Sequence, residues 1–325
     1  MDFELPNELI AKSPAVPRDS ARLLVYNRIS RQITDSKFSD LPEFLNPNTT
    51  LVLNNSKVEH CRWLFCGGIE IFVLQKLDTN TITAMVRKGK KFKVGSSVWL
   101  TDWLQVKTLA IDSSGIRTLQ LNVPHDNGLL KPYEHVPLPP YMPQNDALAN
   151  EYQTVYAKPL GSKAAPTAGL HFTPALIDNI AKKYEVAKLT LHVGLGTFAP
   201  LTEQQLASGH LHKEFFSINQ VNAKKVMNAT HITAVGTTTV RTLETLAKIN
   251  KLGVAIDGST DILIKPPYDF KKVDSMITNF HLPGTSLLLL VGAFVGDING
   301  LERVYKHAIK NKYRFYSFGD AMLIL

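Results

Sequence analysis

Four stretches of the 325-residue chain gather histidine, glycine and small hydroxyl residues at the ends of apolar runs. They are PTAGLHFTP around His171, LHVGLGTF around His192, AVGTTTVRTLE around Arg241 and ITNFHLPGTS around His281. An imidazole with an ordinary pKa of ~6.5 exchanges protons at neutral pH, so His171, His192 and His281 are each candidates for a general acid or base. A single histidine in such a place is more often structural. Four such endings are more informative, because ligands of α/β folds sit beyond the carboxyl ends of the strands, where these segments would converge on one cleft.

AVGTTTVRTLE reads as a strand, a glycine turn and three threonines that open a helix. The free backbone N–H groups of Thr237, Thr238 and Thr239, with Arg241 one turn further on, suit an anion, whether carboxylate or phosphate. The same residues suit an ordinary N-terminal cap equally well. The Lys and the spacing of a phosphate-binding P-loop are missing. His210 and His212 have the look of a metal pair, but neither a third ligand nor a supporting carboxylate is evident near them, and no metal is expected. RKGKKFK places Arg87, Lys88, Lys90, Lys91 and Lys93 around a glycine between two β segments. It reads as a projecting basic hairpin that grips phosphates, the plain alternative being a solvated turn.

The elements that must position these residues fall into two textures. From Gly67 to Val123 the apolar residues alternate in short bursts (IEIFVLQKL, TITAMVRK, SSVWLTD, VKTLAID, IRTLQLNV) between glycine, Asp-Thr-Asn and Ser-Ser-Gly turns. Such a pattern predicts a small barrel or sandwich. The Pro-rich PYEHVPLPPYMP resists regular structure and suits a linker. After Glu151 strands alternate with helices. Thr173-Pro174 supplies an N-cap and a first-turn proline ahead of Leu176, Ile177, Ile180, Ala181 and Tyr184, and Thr202 with Gln205 makes a capping box closed by Gly209. Strands are expected at KLTLHVGL, ITAVG, TDILI, MITNFHL and DAMLIL, and RLLVYN and TTLVLNN from the first sixty residues look like members of the same sheet. The expected fold class is α/β: a discontinuous α/β domain over 1–62 and 150–325 with a largely parallel sheet, plus an inserted small all-β barrel domain over 63–149.

Composition narrows the class further. A hydrophobic content of 44% supports substantial cores, and a formal charge of +8 points to acidic partners, nucleic acid ahead of an anionic membrane. The two cysteines, Cys61 and Cys66, make a disulfide framework or a structural zinc site improbable and favour a reducing compartment. MDFELPNELI is acidic where an export signal is basic, and the longest apolar run, Leu287 to Gly296, is too short to span a bilayer. A soluble, cytoplasmic protein is expected. With no coiled-coil heptad or obvious exposed apolar helix, a monomer is expected too.

PTAGLHFTPALI, LTLHVGLGTFAPL, AVGTTTVRTLETL, TDILIKP, ITNFHLP and the terminal YRFYSFGDAMLIL resemble, in this order, the motifs of the S-adenosylmethionine:tRNA ribosyltransferase-isomerases. DFELPNELIAKSPAVPRDSARLLV and LNNSKV are similar to that family's opening. The likeness runs over nearly the whole chain and is weakest across the β module. It implies an α/β domain with a small β-barrel insertion, and a reaction in which the ribosyl part of S-adenosylmethionine is transferred to the aminomethyl-deazaguanine wobble base of tRNA. Isomerisation to an epoxycyclopentanediol would give epoxyqueuosine, with adenine and methionine released. S-adenosylmethionine is then a consumed substrate, and no true cofactor is implied.

On this resemblance, one of His171, His192 and His281 would be the base at the acidic 5′ carbon beside the sulfonium. Arg241 and the Thr237 to Thr239 amides would hold the methionine carboxylate, and Asp274 or Asp320 would accept ribose hydroxyls. Three places depart from the family pattern. Gly284, Thr285 and Ser286 stand where a basic residue and then Ser-Thr are expected, Asn55 where Asp is expected, and PPYMPQND has no basic residue after its tyrosine. Two other classes compete: a non-catalytic RNA-binding protein built on the basic hairpin, and a metal-dependent hydrolase built on the histidines. The polar strand endings count against the first; a metal analysis would separate the second.

Overall fold

Runs such as TTLVLN, SMITN and AMLI carry uncharged side chains at successive positions rather than alternate ones, as strands covered on both faces do. In the computed structural model, which describes residues 3–139, 141–142, 145–194, 196 and 201–325, these runs lie inside a nine-stranded sheet. Every residue of Thr49–Asn54, Ser275–Asn279 and Ala321–Ile324 is buried. The spatial order is Ile256–Ile262, His210–Ile218, Glu185–Leu191, Thr49–Asn54, His231–Val235, Ser275–Asn279, Ala321–Ile324, Arg22–Tyr26, Ile33–Lys37. Because side chains alternate along a strand, neighbouring residues feed separate cores. Leu24, Val52, Leu189, Ala234 and Met276 join one, and Leu23, Leu51, Leu53, Val235 and Ile277 the other.

The sheet is mixed, which corrects the expectation of a largely parallel one: four of its strand pairings are parallel and four antiparallel. The connections explain this. Arg22–Tyr26 and Ile33–Lys37 are joined by a segment too short for the dozen or so residues that a parallel crossover needs. Between Ser275–Asn279 and Ala321–Ile324 the chain runs through two helices, Ser286–Val295 and Ile298–Lys310, so it returns to the end of the sheet it left and the next strand runs backwards.

Local signals set the helix boundaries. Thr173 Oγ1 accepts from Leu176 N at 3.2 Å at the start of Pro174–Ala181. Thr202 and Gln205 form a reciprocal capping box on Glu203–Ser208, and Gly209, with φ of 73°, closes that helix in the left-handed conformation that glycine tolerates best. Helix Thr237–Lys248 buries Val240, Leu243 and Leu246 in the first core. Each contributes roughly 1.5–3 kcal/mol, which holds down the element whose first turn reaches the candidate site.

The chain divides into two compact units, Met1–Val58, Pro139–Met142 and Asn150–Leu325 against Glu59–Leu138 and Pro143–Ala149. The second unit holds a seven-stranded antiparallel sheet in the order Glu134–His135, Arg62–Phe65, Ile69–Lys76, Thr81–Val86, Arg117–Leu121, Gln105–Ile111, Ser97–Trp99. It curls over one core that includes Trp63, Ile71, Ile82, Val106 and Leu119. The sheet is a curled half-barrel, where the sequence predicts a small barrel or sandwich. Its edge strands, Glu134–His135 and Ser97–Trp99, are two and three residues long and are not paired with each other, and so short a strand offers few ladder hydrogen bonds with which to close.

Candidate active site at the carboxyl ends of the central strands

Strand His231–Val235 ends at Gly236, whose φ of 89° lies where a side chain is disfavoured, and the chain turns there into helix Thr237–Lys248. The Gly236 amide donates to Ile277 O at 2.8 Å, which ties this turn to the neighbouring strand Ser275–Asn279. The three threonines then part company. Thr237 and Thr238 line a small cavity together with Ala168, Thr278, Asn279 and His281. Thr239 turns inward and donates to Val235 O at 2.7 Å. Asn54, at the end of Thr49–Asn54, braces the start of the helix by donating to Thr238 Oγ1 at 3.3 Å and to Leu191 O at 3.0 Å.

The strand Ser275–Asn279 delivers the central pair of groups. Asn279, 1% exposed, holds its Nδ2 3.2 Å from His171 Nε2, and His281 lies two residues beyond it with Nε2 2.8 Å from Thr278 Oγ1. A second cavity, of about 210 Å³, adjoins Asn279 and His281. Burial pushes the His171 pKa down to about 3, and the positive charges of Arg314 and Arg18 act in the same direction. Burial also takes His281 down to about 4, although this residue keeps part of its surface in water, which tempers the depression. Both rings are therefore neutral at pH 7. A neutral imidazole accepts a proton, whereas the protonated donor form is scarce.

The remaining sequence-predicted residues lie elsewhere. His192 sits against Gly161, where an added Cβ would fall 2.7 Å from its ring; like His171 it lines neither cavity, and His171 reaches them only through Asn279. Leu195 and Thr197 to Pro200 of its motif lie outside the described residues. Arg241 is buried and ion-paired with Glu214, which also accepts from Gly194 N at 2.9 Å. The hollow beside this pair, about 20 Å³, is lined by neither His171 nor His281. Asp274 precedes Ser275–Asn279 and so stands at the opposite end of the sheet. There it accepts from Ile232 N at 2.7 Å and borders an open groove of about 870 Å³, the larger hollow but one lined by none of His171, His192 and His281. Asp320 accepts from the amides of Arg22 and Arg314 at 3.1 and 2.8 Å and from the Arg314 side chain, bracing the loop that precedes the last strand.

Arg87, Lys88, Lys90, Lys91 and Lys93 are all exposed, and buried Phe92 anchors the run. The expected hairpin is instead a crossing. Thr81–Val86 pairs with Arg117–Leu121, and the basic run leads to the edge strand Ser97–Trp99, two strands further across the sheet. Among the described residues no group of three or more His, Cys, Asp or Glu is placed to hold a metal, and His210 pairs with Asp261 at 3.2 Å. No helix among them is long and apolar enough to cross a membrane. Two of the residues that depart from the family pattern have local work: Asn55 accepts from Thr190 Oγ1 at 2.7 Å, and Thr285 caps helix Ser286–Val295 through Leu288 N at 3.2 Å. Pro140, Pro143 and Gln144 of PPYMPQND lie outside the described residues.

Asn279, Asn54 and Glu214 were not singled out from sequence. Asn279 lies inside ITNFHLP, a stretch already chosen for its histidine, whereas nothing in HLHKEFF marks Glu214 as the partner of an arginine 27 positions later.

A family profile described as Queuosine biosynthesis protein matches residues 1–324. The S-adenosylmethionine:tRNA ribosyltransferase-isomerase of Thermotoga petrophila is 44% identical to this chain, covering 100% of it and 98% of the relative. That of Sulfurihydrogenibium sp. is 42% identical, with the same coverage of 100% and 98%. The crystal structure of S-adenosylmethionine tRNA ribosyltransferase from Thermotoga maritima superposes with a TM-score of 0.58 at 37% identity, covering 100% of this chain and 99% of that one. With the match unbroken across both units, the chain belongs to the S-adenosylmethionine:tRNA ribosyltransferase-isomerase family of queuosine biosynthesis proteins.

Proposed function

We propose that this protein transfers the ribosyl part of S-adenosylmethionine to the aminomethyl-deazaguanine wobble base of tRNA and isomerises it, forming epoxyqueuosine and releasing adenine and methionine. The observation that carries the reading is geometric: Asn279 Nδ2 lies 3.2 Å from His171 Nε2, and Asn279 and His281 line the same two cavities at the carboxyl ends of the strands, beside the threonine-lined start of a helix. The sulfonium acidifies the 5′ carbon, and a neutral imidazole is in the right state to take that proton. Methionine leaves as a neutral thioether. Adenine needs a proton to leave as a neutral base, and the proton taken from the 5′ carbon balances it.

Thr237 and Thr238, with the amides of their helix turn, are suited to the methionine carboxylate. Arg241 would act through its position on the same helix, its guanidinium being occupied by Glu214. The exposed Arg87, Lys88, Lys90, Lys91 and Lys93 would neutralise tRNA phosphates. The protein would act as a monomer in the cytoplasm, where tRNA resides.

The test is to incubate the purified protein with S-adenosylmethionine and tRNA carrying the aminomethyl-deazaguanine base, following adenine release and the mass of the modified nucleoside. Adenine and epoxyqueuosine are expected together. A folded protein that retains tRNA but releases no adenine would overturn the proposal in favour of a non-catalytic RNA-binding role. Near-normal rates in both His171→Ala and His281→Ala would remove the histidines from the chemistry.

A further inference from the structure

The cavity of about 210 Å³ beside Asn279 is walled by Tyr141, Phe280, Leu282, Leu287 and Tyr316. It is smaller than the roughly 300–1,000 Å³ of pockets that enclose a whole ligand, so it suits one portion of a substrate. No Asp, Glu, Lys or Arg lines it among the described residues, so a charged amino-acid end would lie there without counter-charges. Its walls suit a flat, uncharged ring.

Two details give the cavity a specific chemistry. Tyr316 has a φ of 73°, a left-handed conformation that is costly for a bulky residue, and it is held there by its amide donating to Phe280 O at 3.2 Å. The next amide, Ser317 N, donates to the Tyr141 hydroxyl at 3.0 Å, and the two tyrosine rings approach to 4.3 Å between centroids. An unfavourable backbone thus presents a pair of aromatic rings to one cavity. Asn279 is the second detail: its Nδ2 is taken up with His171, while its buried Oδ1 has no donor. A buried acceptor left in this way is unfavourable until a ligand N–H reaches it.

We propose that this cavity receives the adenine of S-adenosylmethionine, with Asn279 Oδ1 accepting a hydrogen bond from the exocyclic amine and Tyr141 and Tyr316 packing on the ring. The assignment rests on S-adenosylmethionine being the ribosyl donor. It makes Asn279 a specificity-determining residue and places the leaving base beside His281, which lines the same cavity.

Calorimetric titration of the full chain with S-adenosylmethionine and with its 6-deamino analogue, in which hydrogen replaces the exocyclic amine, tests the assignment. The analogue is expected to bind about 10- to 100-fold more weakly, because it leaves Asn279 Oδ1 without a donor. Asn279→Leu should weaken S-adenosylmethionine by a similar factor while changing the analogue by no more than about threefold. Equal binding of the two ligands to the unmodified chain would overturn the adenine assignment, as would a variant that loses both ligands equally. Failure of the unmodified chain to bind either ligand would instead overturn the donor reading beneath it. The comparison on the unmodified chain decides the matter even if the variant does not fold.

Discussion

Replacing Glu214 by alanine should be among the most damaging single changes outside the hydrophobic cores. Its carboxylate and the Arg241 guanidinium are paired with side-chain exposures of only 4% and 5%, and Glu214 also takes the Gly194 amide. Removing the carboxylate strands a positive charge out of water, on a guanidinium whose Nε already lacks a hydrogen-bond partner. Breaking a buried pair from one side costs about 3–5 kcal/mol. By contrast, the exposed Lys306–Glu302 pair, with side chains 74% and 45% exposed, is of the class worth about 0.3–0.5 kcal/mol. Urea unfolding provides the assay. With a slope of ~3 kcal/mol/M the midpoint should fall by roughly 1–1.7 M in Glu214→Ala and hardly move in Glu302→Ala. Because Arg241 shares its helix with Thr237 and Thr238, adenine release should fall as well. The double variant Glu214→Leu with Arg241→Met should regain most of the lost stability, since no buried charge remains unpaired. A loss below about 1 kcal/mol in the single variant, or a double variant no better than the single one, would refute the reasoning.

Acid should destabilise the protein through His171. Its folded pKa of about 3 lies below the usual ~6.5, so the unfolded chain binds the proton first and stability is lost as pH falls below ~6.5, by roughly 3 kcal/mol at pH 4.5. His171→Gln should flatten that loss in unfolding midpoints compared at pH 7 and 4.5, and an unchanged pH dependence would count against a buried neutral ring. Neutralising Lys88, Lys90, Lys91 and Lys93 together should weaken tRNA binding and reduce the slope of log affinity against log salt by up to about 3 to 4; an unaltered slope would remove these residues from the tRNA interface. Gly161→Ala forces a side chain to φ of 145° and to within 2.7 Å of the His192 ring, so the unfolding midpoint should drop, and adding His192→Ala should recover part of the loss. No recovery would mean that backbone strain alone causes the damage.

Much of this protein is legible locally. Thr173-Pro174, Thr202 with Gln205, and Gly209 mark helix ends because capping is settled within a few residues of chain, and each behaves in the structure as its pattern predicts. The uncharged runs of the central strands declare themselves buried for a similarly local reason, and the change of texture near residue 60 reflects two different ways of covering apolar surface. Ordered motifs along the whole length were enough to indicate the family, because each motif needs only its own neighbours to be read.

Direction and partnership are decided in three dimensions. Whether a strand runs parallel or antiparallel depends on the end of the sheet to which the connection returns the chain: a short link reverses Ile33–Lys37 against Arg22–Tyr26, and two helices reverse Ala321–Ile324 against Ser275–Asn279, so the sheet is mixed. In the other sheet the basic run leads on to a distant edge strand instead of turning back as a hairpin. Thr237, Thr238 and Thr239 are equivalent in sequence, yet helix geometry sends the first two to a cavity and the third into the core. By residue type and position Arg241 suits a ligand, yet Glu214 occupies it, and Asp274 suits ribose hydroxyls, yet the direction of its strand places it at the far end of the sheet. The amino-acid sequence by itself determined the secondary elements, the family and the kinds of chemistry within reach. Only the tertiary structure decided which polar groups meet, because pairing energies depend on distances and burial between residues far apart in the chain, and no local pattern records them.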